Sequence, residues 1–379
     1  MDRYLKIEDL DDLQKKIIII TGPRQVGKTT LSQVLVKNHE YLNYDLLSDR
    51  KKIHKSDLDF NSTNYIFDEI HKMKNWKKWL KGHFDTRITK NVILVTGSAK
   101  IETYKKMGDS LAGRFYQYKL FPLDVKEIVK FNKTSPEKAM DQLLELSGFP
   151  EPYLSGSLKE YKKWQKSHLD IILKQDLLET DTVQNIKAVE LLIELMTDRI
   201  GSLISYNSLR EDLGTDDKTV KRWCDQLENM YVLFKITPYF NRSQVAIKKA
   251  PKYYFFDVPR VNNEGARFEN FVALSLFKEI NYRNDFDGEN YSLHFMRNKN
   301  QNEVDFVICK DKKPQVMIEA KLSDNNLDHS FDIFQKQTGD VPKIILVKKL
   351  KKETTLKNGV RVLKASEWLS HMNWGKLNP

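Results

Sequence analysis

One segment constrains the fold of this 379-residue chain more than any other: Gly22–Thr29, with the sequence GPRQVGKT. It fits the pattern G-x-x-x-x-G-K-[S/T] in full, and it lies between an apolar strand pattern at Ile17–Thr21 and a helical pattern at Thr30–Asn38. A strand, a glycine-bearing turn and a helix in that order form a loop whose backbone N–H groups can surround a phosphate. The sequence therefore predicts a nucleotide-binding loop made of Gly22, Pro23, Arg24, Gln25, Val26, Gly27, Lys28, Thr29 and Thr30.

Two acidic residues extend this predicted site. The segment Tyr65–Asp68 is apolar until it ends in Asp68, and Glu69 follows directly; strand ends are where ligands lie in open α/β sheets. We expect Lys28 to reach the β- and γ-phosphates of ATP, and Thr29 and Asp68 to hold Mg²⁺. Glu69 is expected to polarise the water that attacks the γ-phosphate. The expected ligands are thus ATP and Mg²⁺, and the expected reaction is ATP hydrolysis.

Two further polar residues stand next to predicted strands. Ser98 comes after the strand pattern Val92–Thr96 and could sense the γ-phosphate, with an ordinary turn serine as the alternative. Arg114 precedes the strand pattern Tyr116–Leu120 and could stabilise transition-state charge, within its own chain or across a subunit interface. The second arrangement would require a homo-oligomer. The alternative for Arg114 is a salt bridge remote from the phosphates.

The pattern of strands and helices changes along the chain and predicts four segments. Residues 1–133 alternate short strands with amphipathic helices, which is typical of an α/β domain with a mostly parallel sheet. Residues 134–200 are helical and predict a lid on that domain. Residues 201–250 predict a winged helix, and residues 251–379 return to mixed α/β structure.

The predicted winged helix has clear boundaries. Its first two helices are expected at Tyr206–Leu213 and Asp217–Asn229, separated by a turn at Gly214, and a strand is expected at Tyr231–Pro238. This is the order of a helix-turn-helix followed by a strand.

Basic residues of the second of these helices suggest a nucleic-acid partner. Lys218, Lys221 and Arg222 are side chains of the kind that contact DNA phosphates and base edges. The chain has a net charge of +11, from 63 Lys and Arg against 52 Asp and Glu, which also favours a polyanion. Two alternatives stay open. One is an ordinary lysine-rich solvated surface, and the other is a protein-facing or intramolecular module, because the same segment carries Asp216, Asp217, Asp225 and Glu228.

A second candidate site lies towards the C-terminus. Asp305 occupies the polar face of the alternating segment Glu303–Ile308, and Glu319 and Lys321, two residues apart, share a face of the next strand. Glu269 stands on an otherwise apolar helical face and needs a partner there. The carboxylates of Glu269, Asp305 and Glu319 could bind Mg²⁺ while Lys321 orients a hydroxide, as metal-assisted phosphodiester cleavage requires. An exposed ion pair between Glu319 and Lys321 is the alternative.

The cysteine content and the charge pattern indicate a protein of the cytoplasm. The only two cysteines, Cys224 and Cys309, show no CxxC spacing, so that neither a disulfide framework nor structural zinc is expected. The longest aliphatic run, Ile17–Ile20, is far too short to span a bilayer, so no membrane partner is expected.

The order of these motifs resembles a family of bacterial and archaeal AAA-type P-loop ATPases with a C-terminal PD-(D/E)xK, restriction-endonuclease-like domain. The matching segments are Thr21–Thr30, Tyr65–Lys81, Leu94–Lys100, Ser110–Phe115, Gly148–Tyr153, Pro251–Asp257, Phe268–Val272, Glu303–Val307 and Ile318–Lys321. The resemblance implies a multidomain α/β fold: a P-loop AAA-type core, a helical lid, a winged helix and a nuclease-like α/β end domain. It also implies the usual roles for the residues named above.

Three functions are compatible with this resemblance. The first is an ATPase that acts on nucleic acid, DNA foremost, with metal-dependent nuclease activity in the end domain. The second is a regulatory ATP-dependent switch, like the STAND signalling ATPases, whose end domain binds without cutting. Its support is the triplet Gly148-Phe149-Pro150, which is similar to the glycine-x-proline of those proteins. The third, a chaperone-like remodeller of proteins, is disfavoured by the acidic residues of the end domain.

Overall fold

A computed structural model describes residues 3–4, 14–55, 58–61, 63–87, 91–97, 111–177, 186–240, 250–324, 327 and 330–374. The chain divides into two compact units. The first comprises residues 1–122 with 229–231, and the second comprises residues 123–228 with 232–379. The segments predicted as lid, winged helix and end domain therefore fall almost entirely within the second unit.

The first unit is built on a parallel sheet. Its strands, within the described residues, are β1 (Ile17–Thr21), β2 (His39–Asn43), β3 (Asn64–Asp68), β4 (Ile93–Thr96) and β5 (Phe115–Lys119). They are ordered β2-β3-β4-β1-β5, and every neighbouring pair is parallel. This confirms the predicted α/β core with its parallel sheet. Strand β1 is buried along its whole length, as expected for an interior strand of such a sheet.

Helices connect the strands of the first unit. They are α1 (Lys28–Leu35), α2 (Leu47–His54) and α3 (Trp76–Thr86), with a 3₁₀ turn at Ile70–Lys72. Helix α3 packs Trp76 and Leu80 into a core that also holds Phe60 and Phe67. Burying one such side chain stabilises the fold by about 1.5–3 kcal/mol. Because the core includes Phe67, it helps to hold the end of β3 in place.

The second unit begins with helices. These are α4 (Val125–Asn132), α5 (Pro136–Leu146), α6 (Pro150–Ser155), α7 (Leu158–Ile171), a π-helical turn at Ile172–Leu177, α8 (Ile186–Thr197), α9 (Tyr206–Leu213) and α10 (Asp217–Asn229). Helices α9 and α10 have the bounds predicted for the helix-turn-helix. Gly214 ends α9 with a φ of 60°, and the Asp216 side chain accepts a 3.0 Å hydrogen bond from the Thr219 amide at the start of α10.

The rest of the second unit is a mixed sheet flanked by helices. Its strands are β6 (Leu233–Pro238), β7 (Lys252–Phe255), β8 (Tyr291–Arg297), β9 (Glu303–Lys310), β10 (Lys313–Ser323), β11 (Lys343–Lys349), β12 (Thr354–Thr355) and β13 (Arg361–Lys364). The helices are α11 (Glu264–Phe286), α12 (Phe331–Thr338) and α13 (Ala365–His371), with a 3₁₀ turn at Val258–Arg260. The strand order is β12-β13-β11-β10-β9-β8-β6-β7 in the part of the chain that the structure describes.

Two pairings in this sheet matter for function. Strand β6, which follows α10, pairs antiparallel with β7 and parallel with β8. Strands β9 and β10 are antiparallel, with Ile318 opposite Phe306. This register places Asp305 beside Glu319, so that both carboxylates stand on the same face of the sheet. No helix among the described residues is long and apolar enough to cross a membrane.

Candidate nucleotide site and acidic cluster

The loop after β1 requires glycine at its first position. Gly22 has a φ of 145°, and a Cβ atom there would lie 2.1 Å from the backbone oxygen of Leu120. No side chain fits at that distance, so the loop can approach the end of β5 only with glycine at this position. Gly27, with a φ of 93°, precedes the first residue of α1. Both predicted glycines therefore shape the loop, as the motif requires.

Lys28 lies folded over this loop. Its side chain is buried, and its ammonium donates hydrogen bonds to the backbone oxygens of Gly22 at 2.9 Å and Pro23 at 2.7 Å. The positive charge is thus held at the mouth of the loop, beside the N-terminus of α1. Both features favour an anion at that place.

Asp68 is the centre of a hydroxyl cluster. Its Oδ2 accepts a 2.9 Å hydrogen bond from Thr29 and a 2.6 Å hydrogen bond from Tyr41, and its Oδ1 accepts one of 2.7 Å from Thr96. The sequence predicted Thr29 and Asp68 but missed Tyr41 and Thr96. Burial, and then the hydrogen bond to Asp68, raise the pKa of Tyr41 above its usual range, so Tyr41 remains a hydrogen-bond donor.

The contact between Thr29 and Asp68 also tests whether the residues fit Mg²⁺. A hydroxyl and a carboxylate oxygen 2.9 Å apart are hard oxygen donors of the kind that Mg²⁺ takes, and Mg²⁺ is usually held by one or two protein ligands beside the substrate phosphates. The residue types and their placement fit.

Glu69 occupies a strained position next to Asp68. Its φ of 56° is left-handed, and its amide donates a 3.0 Å hydrogen bond to the Thr96 oxygen. Burial and the neighbouring Asp68 charge raise the pKa of Glu69, and the charges of Lys28 and Arg24 oppose that rise. Its Oε2 accepts no hydrogen bond from any described residue. Such an acceptor is suited to holding a water molecule.

His71 lies next to this carboxylate, and sequence reasoning assigned it no role. Its Nε2 is 3.5 Å from Glu69 Oε2, and its side chain is buried. The 3₁₀ turn at Ile70–Lys72 brings the ring back towards the strand end.

The other loop residues have structural places. Val26 is buried, and its backbone oxygen accepts a 2.8 Å hydrogen bond from Arg3, a further residue that sequence reasoning missed. Arg24 is partly buried, while Gln25 and Thr30 are exposed. Arg3 donates also to the Phe121 oxygen, so it fastens the loop to the end of β5.

Arg114 does not lie at the phosphate loop of its own chain. It precedes β5, and its backbone oxygen accepts a 2.9 Å hydrogen bond from the Ile17 amide at the start of β1. The loop follows the other end of β1, roughly 15 Å away along the strand. Arg114 instead pairs with Asp85 at 2.7 Å, in agreement with the alternative of a salt bridge remote from the phosphates. A role of Arg114 across a subunit interface stays a prediction. Ser98, the predicted sensor of the γ-phosphate, lies outside the described residues.

The second unit holds an acidic cluster around a buried lysine. The side chain of Lys252 is 0% exposed; its ammonium lies 3.3 Å from Glu269 Oε1 and also contacts Glu303 Oε1. Arg297 pairs with the other oxygen of Glu303 at 3.0 Å. Burial alone would lower the pKa of Lys252, but the charges of Glu269, Asp305 and Glu303 hold it above its usual range. Sequence reasoning missed Lys252.

The three predicted metal ligands of this unit are each bound by protein donors. Glu269 Oε1 also accepts a 2.8 Å hydrogen bond from Tyr254, Asp305 Oδ2 accepts one of 2.9 Å from the Ala320 amide, and Glu319 Oε1 accepts one of 3.2 Å from the Ser330 amide. Lys321 lies 3.4 Å from Glu319 Oε2.

Burial and the Glu269 charge raise the pKa of Asp305 to about 8. Among the residues that the structure describes, no three His, Cys, Asp or Glu side chains are arranged to hold a metal ion. Each of the three predicted ligands thus accepts a hydrogen bond from a protein donor, and the described residues present no three-ligand metal site.

The basic face of α10 is open. Lys218, Lys221 and Arg222 are exposed, and within the described residues none of them forms an ion pair. Three nearby acids are engaged, since Asp216 caps the helix and Asp225 and Glu228 lie 3.5 and 2.6 Å from Lys235, whereas Asp217 in the first turn is exposed.

Comparison with known proteins supports the nucleotide site of the first unit. Residues 14–129 match the family described as "AAA domain". The first unit carries an AAA-type P-loop ATPase domain. Residues 137–262 and 264–368 match two domains of unknown function, DUF8612 and DUF4143. The restriction-endonuclease-like fold of the end domain stays a prediction.

Similar proteins add no assigned activity. The uncharacterized protein MJ1544 of Methanocaldococcus jannaschii is 26% identical over 364 residues, covering 87% of this chain and 80% of that protein. An uncharacterized protein of Haemophilus influenzae is 22% identical over 406 residues, covering 97% of each. The Aeropyrum pernix ORC1 protein in complex with DNA has 11% identity and a TM-score of 0.31, covering 70% of this chain and 90% of that one. That score is too low to establish a shared overall fold.

Proposed function

We propose that the first unit binds and hydrolyses Mg²⁺-ATP and that the chain uses this hydrolysis while acting on nucleic acid. The observation that carries the ATPase proposal is the 2.9 Å hydrogen bond from Thr29 to Asp68. It brings the first turn of the phosphate-loop helix to the acidic end of β3. A phosphate on the loop and Mg²⁺ on these two oxygens would then be neighbours.

Each residue of the site has a defined task in this proposal. Lys28 exchanges its bonds to the loop oxygens for bonds to the phosphates, and Thr29 and Asp68 hold Mg²⁺, which offsets the phosphate charge. Glu69 orients the attacking water through its carboxylate, whose Oε2 accepts no hydrogen bond from a described residue and lies 3.5 Å from His71 Nε2. Tyr41 and Thr96 keep the Asp68 carboxylate in one orientation.

Two measurements test the ATPase proposal. Calorimetry of the full chain with Mg²⁺-ATP is expected to show binding that Lys28→Ala abolishes, and phosphate release is expected to fall to background in the same variant. Lys37→Ala, on an exposed residue after α1, is the matched control and should leave both unchanged. Absence of nucleotide binding by well-folded wild-type protein would refute the proposal.

The nucleic-acid proposal rests on α10. Its three cations are exposed and form no ion pair within the described residues. Of the acids beside them, Asp216 accepts a hydrogen bond from Thr219, Glu228 pairs with Lys235, and Asp217 is exposed. A free basic face on the second helix of a helix-turn-helix is suited to phosphate contacts and, at its N-terminal end, to base edges. This favours DNA over the protein-facing alternative.

Charge-matched double variants test this face. Lys218→Ala with Lys221→Ala is expected to weaken DNA binding at least about tenfold and to lower the salt slope by nearly two. The control removes two exposed lysines of α7, with Lys159→Ala and Lys162→Ala. Equal losses of DNA affinity in the two double variants would mean that only the net charge matters. Unchanged DNA binding by the Lys218→Ala, Lys221→Ala variant would exclude the basic face of α10 as the DNA contact.

For the end domain, the contacts favour a binding module that does not cut over a nuclease. Asp305, Glu319 and Lys321 lie on neighbouring strands as cleavage would require, but protein donors hold the carboxylates of Glu269 and Glu319. We expect no cleavage of single-stranded, duplex or branched DNA or RNA with Mg²⁺ or Mn²⁺. Cleavage that Asp305→Asn or Lys321→Ala abolishes would reverse this conclusion and restore the nuclease hypothesis.

A further inference from the structure

We propose that the ammonium of Lys252 is the resident cation of the acidic cluster formed by Glu269, Glu303 and Asp305, in the place that a divalent metal would otherwise take. This assigns a role to a residue outside the nucleotide site, and it does not depend on the ATPase proposal.

The geometry puts the lysine between carboxylates that come from different elements. Lys252 stands on β7, Glu269 on α11, and Glu303 on β9. The ammonium contacts both glutamates. A fully buried ammonium needs such partners, because an unpaired charge in that environment is strongly disfavoured.

The sequence pattern explains why a partner was expected at this place. Glu269 stands on the apolar face of α11, where an unpaired acid would be costly. Its partners in the structure are the Lys252 ammonium and the Tyr254 hydroxyl, both from β7. Gly201 closes over the same carboxylate: a Cβ atom there would lie 2.8 Å from each Glu269 oxygen.

Two of the three acids of the cluster have cationic partners without a metal. The carboxylates of Glu269 and Glu303 are matched by the ammonium of Lys252 and the guanidinium of Arg297, which pairs with Glu303. Asp305 adds a carboxyl group that accepts a bond from the Ala320 amide. A divalent ion entering this cluster would meet a fixed positive charge at its centre.

The test measures Mn²⁺ uptake by nucleotide-free full-length protein, from the electron paramagnetic resonance signal of free Mn²⁺. Wild type and Asp305→Asn are expected to take up the same amount of Mn²⁺. Lys252→Met keeps much of the side-chain volume but removes the charge. It is expected to bind one additional Mn²⁺, with a dissociation constant at least tenfold lower than that of any Mn²⁺ binding by wild type. Adding Asp305→Asn to Lys252→Met should remove the gain.

Lys343→Met is the matched control. Lys343 is also a buried lysine of this sheet, and its ammonium pairs with the exposed carboxylate of Asp332 at 2.8 Å. Its loss should give no Mn²⁺ site, because it does not open a cluster of carboxylates.

Two results would overturn the proposal. One is an equivalent of Mn²⁺ bound by wild type and lost in Asp305→Asn. The other is a folded Lys252→Met protein, by circular dichroism, that takes up no more Mn²⁺ than wild type. If Lys252→Met folds only when Mn²⁺ is added, that supports the proposal. If it does not fold at all, the wild-type comparison with Asp305→Asn decides in either direction.

Discussion

The hydroxyl of Tyr41 donates a 2.6 Å hydrogen bond to the Asp68 oxygen that also accepts from Thr29. Tyr41 belongs to β2 and Asp68 to the end of β3, so the bond crosses between neighbouring strands of the parallel sheet. If Thr29 gave up this contact to hold Mg²⁺, Tyr41 would remain as a donor to the carboxylate. The tyrosine therefore acts as a positioning residue for the acid, through a contact that no motif encodes.

Removing that hydroxyl should weaken the use of Mg²⁺ more than the binding of nucleotide. For Tyr41→Phe we expect the Mg²⁺ concentration at half-maximal ATPase activity to rise about tenfold, equivalent to about 1.4 kcal/mol, since hydrogen bonds to charged groups contribute about this much. Tyr44→Phe is the control, because the Tyr44 hydroxyl contacts His54 instead. An unchanged Mg²⁺ requirement in Tyr41→Phe would show that Thr29 and Thr96 suffice.

The first glycine of the loop should tolerate no side chain. In Gly22→Ala the new Cβ atom would lie 2.1 Å from the Leu120 oxygen, so the loop must move away from β5. We expect loss of ATP binding by calorimetry and a lower melting temperature. Gly82→Ala is the control: nothing lies within 4 Å of its added Cβ, and alanine in a helix is favoured by about 1 kcal/mol. Normal ATP affinity in Gly22→Ala would contradict the geometry.

Glu69 should separate binding from hydrolysis. Glu69→Gln keeps the size of the side chain but removes the charge that polarises water, so we expect ATP to bind and turnover to fall at least about a hundredfold. Binding is measured by calorimetry and turnover by phosphate release. Glu40→Gln, in a surface pair with Lys52, should change neither. Turnover near the wild-type rate in Glu69→Gln would assign the water to another residue.

The stability of the first unit should fall on mild acidification because of His83. Burial lowers the pKa of His83 below 6.5 in the folded protein, where the ring stacks on Phe60 with centroids 4.3 Å apart. A depressed pKa means that the contribution is present above pH 6.5 and is lost as pH falls through the folded value. Between pH 7.5 and 5, His83→Phe should lose less stability than wild type in urea unfolding.

His371→Asn, at an exposed residue, is the control for that series. It should follow the wild-type dependence on pH. Equal pH dependence in wild type and His83→Phe would show that the ring titrates freely in the folded state.

The elements that depend on residues close to each other in sequence could be predicted from the sequence. The strand-loop-helix order around Lys28 and the bounds of α9 and α10 follow from turn and capping residues within a few positions. The hydroxyl donors to Asp68 come from other strands, and Tyr41 and Thr96 are ordinary strand residues in sequence. Lys252 was missed for the same reason, because its partners Glu269 and Glu303 are distant in sequence and only the sheet order brings them together.

Strand β6 has a mechanical consequence. It follows the basic helix α10 after three residues, and its Ile236 lies opposite Lys252 in the β6–β7 ladder. Lys235 on the same strand is clamped to Glu228 of the helix. The chain connection and this ion pair therefore couple the position of α10 to β6, and the ladder couples β6 to the strand that carries the buried lysine.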